Sequence, residues 1–151
     1  MGEKEVESLV ARTISRIMIP FIQLFGIYVI VHGETSPGGG FQGGVILGTS
    51  MILYGIVYGL SKAKKRVSKK HLIILISLGV LIYSGIGLMD MLSGGKYLQY
   101  DSLPLPVDAH ETTALSILGV ELGIGLTVMS ATIILFIYLA GERIGAGMDN
   151  W

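Results

Sequence analysis

The chain contains no cysteine, only one tryptophan, and few charged residues for its length. The absence of cysteine excludes disulfides, thiol nucleophiles and cysteine-ligated iron–sulfur clusters within the chain. Charged residues make up 15% of its 151 residues, whereas ordinary soluble domains contain about 25%. Hydrophobic residues make up 51%, and the mean hydropathy is +0.68. This composition is typical of an integral membrane protein.

The hydrophobic residues are concentrated in four segments. A helix needs about 20 apolar residues to cross the hydrocarbon core of a bilayer. Four segments approach or exceed this length, and they cover residues 13–31, 43–61, 72–92 and 112–141. The sequence therefore predicts an all-α integral membrane protein, with one transmembrane domain (residues 1–151) of four spanning helices.

The charges are strongly segregated along the chain. Between Ser61 and Lys70 there are six basic residues and no acidic residue. By the positive-inside rule this short loop is cytoplasmic, so four spans place both termini in the cytoplasm of a multi-pass cell-membrane protein. Every Lys and Arg except Lys96 then lies on the inner side. Topology and anionic lipid headgroups explain the basic loop, so we predict contact with membrane lipid and no nucleic-acid partner.

A glycine-rich segment separates the first two spans. Glycine lets backbones approach closely and adopts positive φ angles. The segment lacks the Gly-Lys-Ser/Thr ending of a phosphate-binding loop and the strand–loop–helix context of a dinucleotide site. We therefore expect a tight turn or a re-entrant segment, built from Pro37, Gly38, Gly39, Gly40, Phe41, Gly43 and Gly44.

Small residues recur at helical spacing in the second and fourth spans. Membrane helices associate through such residues because close packing replaces the hydrophobic effect. The expected packing positions are Gly48, Gly55, Gly59, Gly119 and Gly123. At about 100° per residue, Glu121 points nearly opposite to Gly119 and Gly123. We therefore expect one face of the fourth helix to pack within the subunit and the other to meet a partner chain or a hydrated path.

Two acidic residues, Glu121 and Asp90, are the candidates for an ion pathway. Glu121 follows Glu111 by ten residues, or about 15 Å of helix, which predicts a position near mid-membrane. A charged carboxylate facing lipid there costs about 2.5–3.5 kcal/mol. Glu121 is either a relay for protons or hard cations such as Na⁺, or a protonated or paired structural residue at a subunit contact. Asp90, near the outer end of its span, is either part of the pathway or simply interfacial.

Other polar residues on the outer side are weaker candidates. His32, Glu34, His110 and Glu111 either form an ion mouth or are solvated loop and cap residues. No set of nucleophile, base and orienting group occurs on one side of the membrane. We therefore predict no catalytic residues, no metal site, no cofactor, and no enzyme activity of the chain by itself.

The run from His32 to Gly44 closely resembles the signature of the MnhB/MrpB family, whose members are small subunits of multisubunit Mrp-type Na⁺/H⁺ antiporters. The stretch Leu118-Gly119-Val120-Glu121-Leu122 is similar to the last-helix motif of that family. The family pattern often has an Asp where Ile117 stands and an aromatic residue where Glu121 stands. Mrp-like subunits also occur in archaeal membrane-bound hydrogenase-type and sulfur-reducing complexes.

This resemblance implies a small helical subunit that assembles with other Mrp-type subunits and contributes to the transport of Na⁺ and H⁺. One host is a respiratory membrane-bound hydrogenase, in which a redox reaction elsewhere drives ion pumping. One alternative is a purely structural membrane scaffold, and another is a self-sufficient homo-oligomeric transporter. The transported ion, the stoichiometry and the host complex are left open by the sequence.

Overall fold

The computed structural model describes residues 3–35 and 37–144, and these residues contain five helices and no strand. In chain order the helices are α1 (Glu3–Val31), α2 (Gly40–Tyr58), α3 (Leu60–Arg66), α4 (Lys69–Leu92) and α5 (Ala109–Ile144). Four of them are long and apolar enough to cross a membrane: Leu9–Val31 within α1, α2, α4, and Ala109–Glu142 within α5. The predicted all-helical fold with four membrane-spanning helices is confirmed.

The helices differ in length, and the difference fixes their placement in a bilayer. The 19 residues of α2 span about 28 Å, close to the roughly 30 Å thickness of the hydrocarbon core. The 36 residues of α5 span about 54 Å. If α2 crosses the membrane, α5 therefore extends beyond at least one of its faces.

Helix α3 is a feature that the sequence reasoning missed. The chain leaves α2 at Gly59, whose φ of 96° lies in a region that favours glycine, and then forms a seven-residue helix that carries much of the basic segment. Gly59 is exposed, and a Cβ at this position would have nothing within 4 Å. The prediction that Gly59 is a packing position is wrong, because this glycine ends one helix and begins another.

The central helix is α5, which packs against α2 on one side and α4 on the other. On the α2 side, a Cβ on Gly48 would lie 3.0 Å from the Thr132 side chain. On the α4 side, a Cβ on Gly123 would lie 2.8 Å from the carbonyl oxygen of Gly79, and one on Gly119 would lie 2.7 Å from Ile86. Such distances leave no room for a side chain, so the helix backbones approach closely on both sides.

The second face of α5, which we expected to meet a partner chain or a hydrated path, packs in part within the subunit. It is the face that Glu121 shares with Gly125 and Thr132, and the hydrated path stays a prediction. Gly125 lies against Ile30 of α1, and Thr132 lies against Gly48 of α2. The sequence correctly indicated two faces unsuited to lipid, but α1, α2 and α4 of the same chain cover both.

The apolar side chains follow the pattern of a membrane bundle. Leu72, Ile133 and Ile137 form a buried cluster. Large hydrophobic residues are exposed along the outside of α1, α4 and α5, for example Leu24, Leu81 and Leu135. An exposed apolar surface of this extent indicates contact with lipid or with other membrane subunits.

Candidate functional site

The carboxylate of Glu121 lies against the first turn of α2. The backbone N–H of Gly40 donates a hydrogen bond to Oε2 of Glu121. Helix α2 begins at this residue, and its N-cap residue, Gly39, has no side chain with which to cap it. The first N–H groups of a helix lack partners within the helix, and the N-terminus carries a partial positive charge. Glu121 thus provides from α5 the acceptor oxygen that α2 lacks.

Three glycines surround this carboxylate, and we call Gly33, Gly39 and Gly40 the glycine cradle. A Cβ on Gly39 would lie 2.7 Å from both carboxylate oxygens, and one on Gly33 would lie 3.1 Å from Cδ of Glu121. A Cβ on Gly40 would overlap the backbone oxygen of Glu121. Gly39 also has φ 151° and ψ −164°, a region used almost only by glycine. The glycine-rich segment therefore encloses a carboxylate of its own chain.

The other glycines of the segment belong to α2 itself. Gly43 is buried against Ile30 and the carbonyl oxygen of Gly26 in α1, and Gly44 is buried against Gly125 in α5. The chain between α1 and Gly39 begins with hydrogen-bonded turn residues from His32 to Thr35. The choice between a turn and a re-entrant segment stays a prediction.

The depth of Glu121 in the membrane stays a prediction. Glu121 contacts the first residue of α2, a helix about as long as the hydrocarbon core is thick. The first three turns of α5 extend past the start of α2. These lengths favour a position nearer one membrane boundary than the expected mid-membrane one.

Asp90 lies in the last turn of α4 and is completely buried. Oγ of Ser102 lies 3.2 Å from its Oδ1 and also 2.7 Å from the carbonyl oxygen of Gln99, whereas its Oδ2 has no hydrogen-bond partner among the described residues. The segment that follows α4 folds back over it, and the N–H of Gly95 bonds to the Asp90 carbonyl at 3.0 Å. The carboxyl group is therefore shielded from solvent, and the choice between a pathway residue and an interfacial one stays a prediction. A buried oxygen without a partner is costly and calls for an explanation.

Tyr100 lies in the segment between α4 and α5. Oγ of Ser116 has two acceptors within hydrogen-bond distance, the Thr112 carbonyl oxygen at 2.7 Å and the Tyr100 carbonyl oxygen at 3.0 Å, and the second contact holds the outer segment against α5. Burial raises the pKa of the Tyr100 phenol, and interactions with Tyr83, Glu121 and Asp90 raise this pKa further. Sequence reasoning missed Tyr100, Ser102 and Ser116, because no spacing rule relates a loop to distant helices.

A small cavity of about 140 Å³ adjoins Glu121. Glu34 lines the same cavity, and its walls are otherwise apolar residues of α1 and α5. Carboxylate oxygens are ligands that hard cations accept, and they also exchange protons. Among the residues that the structure describes, no group of three potential metal ligands occurs. The cavity therefore suits a transient ion better than a resident metal.

The remaining predicted residues take separate positions. The Nδ1 of His32 lies 3.0 Å from the carbonyl oxygen of Tyr28, and the two rings stack with centroids 4.1 Å apart. Phe41 is 61% exposed at the start of α2. His110 and Glu111 are exposed in the first turn of α5. Of the four residues proposed for an ion mouth, Glu34 is the one that lines the Glu121 cavity.

Comparisons with known proteins agree with this arrangement. A family model described as a domain related to the MnhB subunit of Na⁺/H⁺ antiporter matches residues 10–134, a range that includes the glycine cradle and Glu121. The chain is similar to a protein of Staphylococcus aureus strain MRSA252 named "Putative antiporter subunit mnhB2", with 30% identity over 146 residues, 95% of this chain and 99% of that protein. Proteins of the same name from strains Newman and JH1 are 30% identical over 147 residues, with the same coverage of both chains. The predicted resemblance is thus confirmed, and the chain belongs to the MnhB family.

Proposed function

We infer that this chain is a membrane subunit of a Na⁺/H⁺ antiporter module, and we propose that Glu121 and Asp90 contribute to its ion pathway. Membership of an antiporter-subunit family supports a transporter component rather than an enzyme. The observation that carries the proposal is Glu121, whose carboxylate is held in the glycine cradle and which lines a cavity together with Glu34.

Glu121 has two structural roles. The hydrogen bond from Gly40 to Oε2 holds its carboxylate in a constant position. Glu121 is also one of the residues that line the cavity. A proton or cation that enters the cavity meets oxygen ligands there, and the fixed position avoids the cost of reorganising the site.

Asp90 is the second carboxylate of the proposed path. Its Oδ2 has no hydrogen-bond partner among the described residues, so it is available to accept a proton or to bind a cation. In this proposal partner subunits provide the path between and beyond the two carboxyl groups.

The substitution Glu121→Gln distinguishes a chain in which Glu121 relays ions from a purely structural scaffold subunit. Gln keeps the size of the side chain and an oxygen that accepts the Gly40 N–H, but it carries neither charge nor exchangeable acid proton. We expect Na⁺/H⁺ exchange in everted membrane vesicles to fall by about a hundredfold, as is usual for loss of a proton-transfer group, while the assembled complex is still recovered. The control Glu111→Gln removes an exposed carboxylate of the same helix and should transport normally.

The outcome of this substitution decides between two functions. A purely structural scaffold would keep ion exchange in the Glu121→Gln complex, and that result would refute the relay. The family name of the relatives favours the antiporter function over the scaffold. Recovery of the chain from mild detergent without larger subunits would instead support the homo-oligomeric transporter.

We also propose that both termini are cytoplasmic and that the partners are the other Mrp-type subunits. The basic residues of α3 and the start of α4 support this orientation. Because the chain contains no cysteine, a single introduced cysteine reports which side of the membrane its position faces. A membrane-impermeant maleimide should label Lys96→Cys in intact cells and Lys65→Cys only after permeabilisation. The reverse pattern would refute the orientation.

The host complex is proposed to be either a free-standing antiporter or a respiratory membrane-bound hydrogenase-type assembly. The genes that flank the coding sequence test this choice. Hydrogenase genes beside it would indicate a redox-driven pump, whereas antiporter genes alone would indicate exchange driven by ion gradients.

A further inference from the structure

A second, larger cavity of about 490 Å³ lies at the basic end of the bundle, between α1, α2 and α3. Its volume falls in the range of roughly 300–1,000 Å³ that is usual for small-molecule sites. Its walls come from the middle of α1, the C-terminal half of α2 and the end of α3. It shares no lining residue with the Glu121 cavity. We call it the basic cavity, because Arg16 and Arg66 both line it.

The two arginines have no anionic partner within the described part of the chain. Among the side chains of residues 9–35 and 37–142, no carboxylate pairs with Arg16 or Arg66. Both arginines are exposed and line one cavity, so an anion between them would be attracted by both charges. Guanidinium groups bind phosphate oxygens through paired N–H donors, so phosphate is the anion that best fits this pair.

Aromatic contacts hold Arg66 in place. Its guanidinium lies over the ring of Tyr54, with 4.9 Å between Cζ and the ring centroid. The Tyr54 ring stacks on Tyr58 at 4.8 Å, and the Tyr58 hydroxyl donates to the Arg12 carbonyl oxygen at 3.0 Å. This chain of contacts runs from α3 through α2 to α1. It lowers the cost of ordering the arginine when an anion binds.

The deeper wall of the cavity is polar. Ser50 is 1% exposed, donates its hydroxyl to the Leu47 carbonyl oxygen at 2.7 Å, and accepts from Nε2 of Gln23 at 3.3 Å. Gln23 also lines the cavity, and this contact uses one of its two N–H donors. In addition to the two arginines, Gln23 and Ser50 thus offer hydrogen-bond donors and acceptors to a ligand with hydroxyl or ester oxygens.

We propose that the basic cavity binds the phosphate headgroup of an anionic phospholipid. Ile19, Pro20 and Met51 form its apolar wall and would contact the first carbons of the acyl chains. Met18 and Phe21, near this wall on α1, have exposed apolar side chains, which is consistent with lipid beside the cavity. The assignment of this lipid to the cytoplasmic leaflet rests on the orientation proposed above, and that leaflet is rich in anionic headgroups.

The test compares two double variants of the complex purified from membranes. Arg16→Gln with Arg66→Gln removes both charges of the cavity. Lys62→Gln with Lys65→Gln removes the same charge from exposed positions of α3 that do not line it. After delipidation, phosphatidylglycerol or phosphatidylcholine with identical acyl chains is added, and native mass spectrometry measures the retained lipid. The wild type and the lysine variant should prefer phosphatidylglycerol, and the arginine variant should lose roughly thirtyfold in its affinity, as expected for two surface charges.

Three outcomes would overturn the proposal. An unchanged preference for phosphatidylglycerol in the arginine variant would place the lipid elsewhere. Displacement of the lipid by millimolar sn-glycerol 3-phosphate would assign the cavity to a free phosphate, because a headgroup without acyl chains should compete poorly. Loss of a partner subunit instead of lipid, when both arginines are replaced, would show that an acidic side chain of that subunit fills the cavity.

If the orientation alone were wrong, the lipid preference would persist while the maleimide labelling reversed.

Discussion

The two ends of this bundle handle charge in opposite ways. At the glycine-rich end, Glu121 is enclosed so closely that even a methyl group on Gly39 would collide with it, and Asp90 is completely buried. At the basic end, exposed arginines line a cavity of about 490 Å³. A rigid enclosure suits a charge that must stay at a fixed position, whereas an open cavity suits a ligand that comes and goes. The difference indicates that substitutions should be severe at the first end and mild at the second.

The largest expected effect comes from Gly39→Ala. The added Cβ would lie 2.7 Å from both oxygens of Glu121, and the backbone would occupy a region that only glycine tolerates. We expect a loss of about 3 kcal/mol or more in the free energy of unfolding, and loss of the assembled complex. Thermal melting in detergent and co-purification of partner subunits measure both.

Gly94→Ala is the matched control for that substitution. Gly94 also has a positive φ, 88°, but a Cβ there would have nothing within 4 Å. We expect only backbone strain, about 1–2 kcal/mol. Equal destabilisation by both substitutions would show that the enclosure of Glu121 is not the reason for the glycine at position 39.

The next effect in size is that of Ser102→Ala. Its hydroxyl is the one described partner of the buried Asp90 carboxylate, so its loss leaves both oxygens unpartnered. We expect a destabilisation of about 1–3 kcal/mol, measured by thermal melting. Ser93→Ala is the control, because its hydroxyl bonds only to the Met89 carbonyl of its own helix. If Ser102→Ala melted like the control, Asp90 would have to be stabilised by another group.

At the basic end, Tyr54→Leu should have a smaller effect. It removes the ring beneath Arg66 but keeps an apolar side chain in the wall of the cavity. The lost interaction is worth about 0.5–1 kcal/mol at an exposed site. We expect nearly normal melting, together with weaker retention of phosphatidylglycerol. A destabilisation as large as that of Gly39→Ala would remove the contrast between the two ends.

The smallest effect is confined to alkaline pH. Burial, Tyr83, Glu121 and Asp90 raise the pKa of Tyr100 in the folded protein above its usual value of 10.0. The unfolded chain therefore releases this proton first as the pH rises, so the stability from the protonated phenol is full below pH 10 and is lost above it. Tyr100→Phe should remove this component and flatten the dependence of melting temperature on pH above 10. Identical curves for wild type and Tyr100→Phe would refute the assigned surroundings of the phenol.

The sequence predicts the fold well, because its main determinants are local. Long apolar segments give the spanning helices, and the glycine spacing in α2 and α5 gives the close helix contacts at Gly48 and Gly123. The helix termini are less predictable: α2 begins at Gly40 rather than position 43, and α3 has no clear signal in the sequence. Both depend on single glycines, whose conformations are set by the surrounding structure.

The site is predictable in its parts but not in its arrangement. Glu121, Asp90 and the glycine-rich segment are unusual in the sequence, yet nothing in their spacing indicates that Gly40 donates to Glu121. That contact depends on how far α2 and α5 are displaced from each other along their axes. Helix length and helix packing together determine this displacement. For the same reason the extension of α5 beyond α2 cannot be deduced from the position of Glu111.

The bond between Gly40 and Glu121 joins positions 81 residues apart, and this separation has a consequence for biosynthesis. At about 5–20 residues per second, the nascent chain exposes the beginning of its second helix for roughly 4–16 s before the acceptor for that helix has been made. During this interval the backbone N–H groups at the start of α2 lack this hydrogen-bond acceptor, and the ribosome-bound protein presents them to the insertion machinery or to chaperones. A transcript truncated before codon 121 would leave these donors unmet permanently, which gives membrane proteases a feature by which to recognise an incomplete subunit.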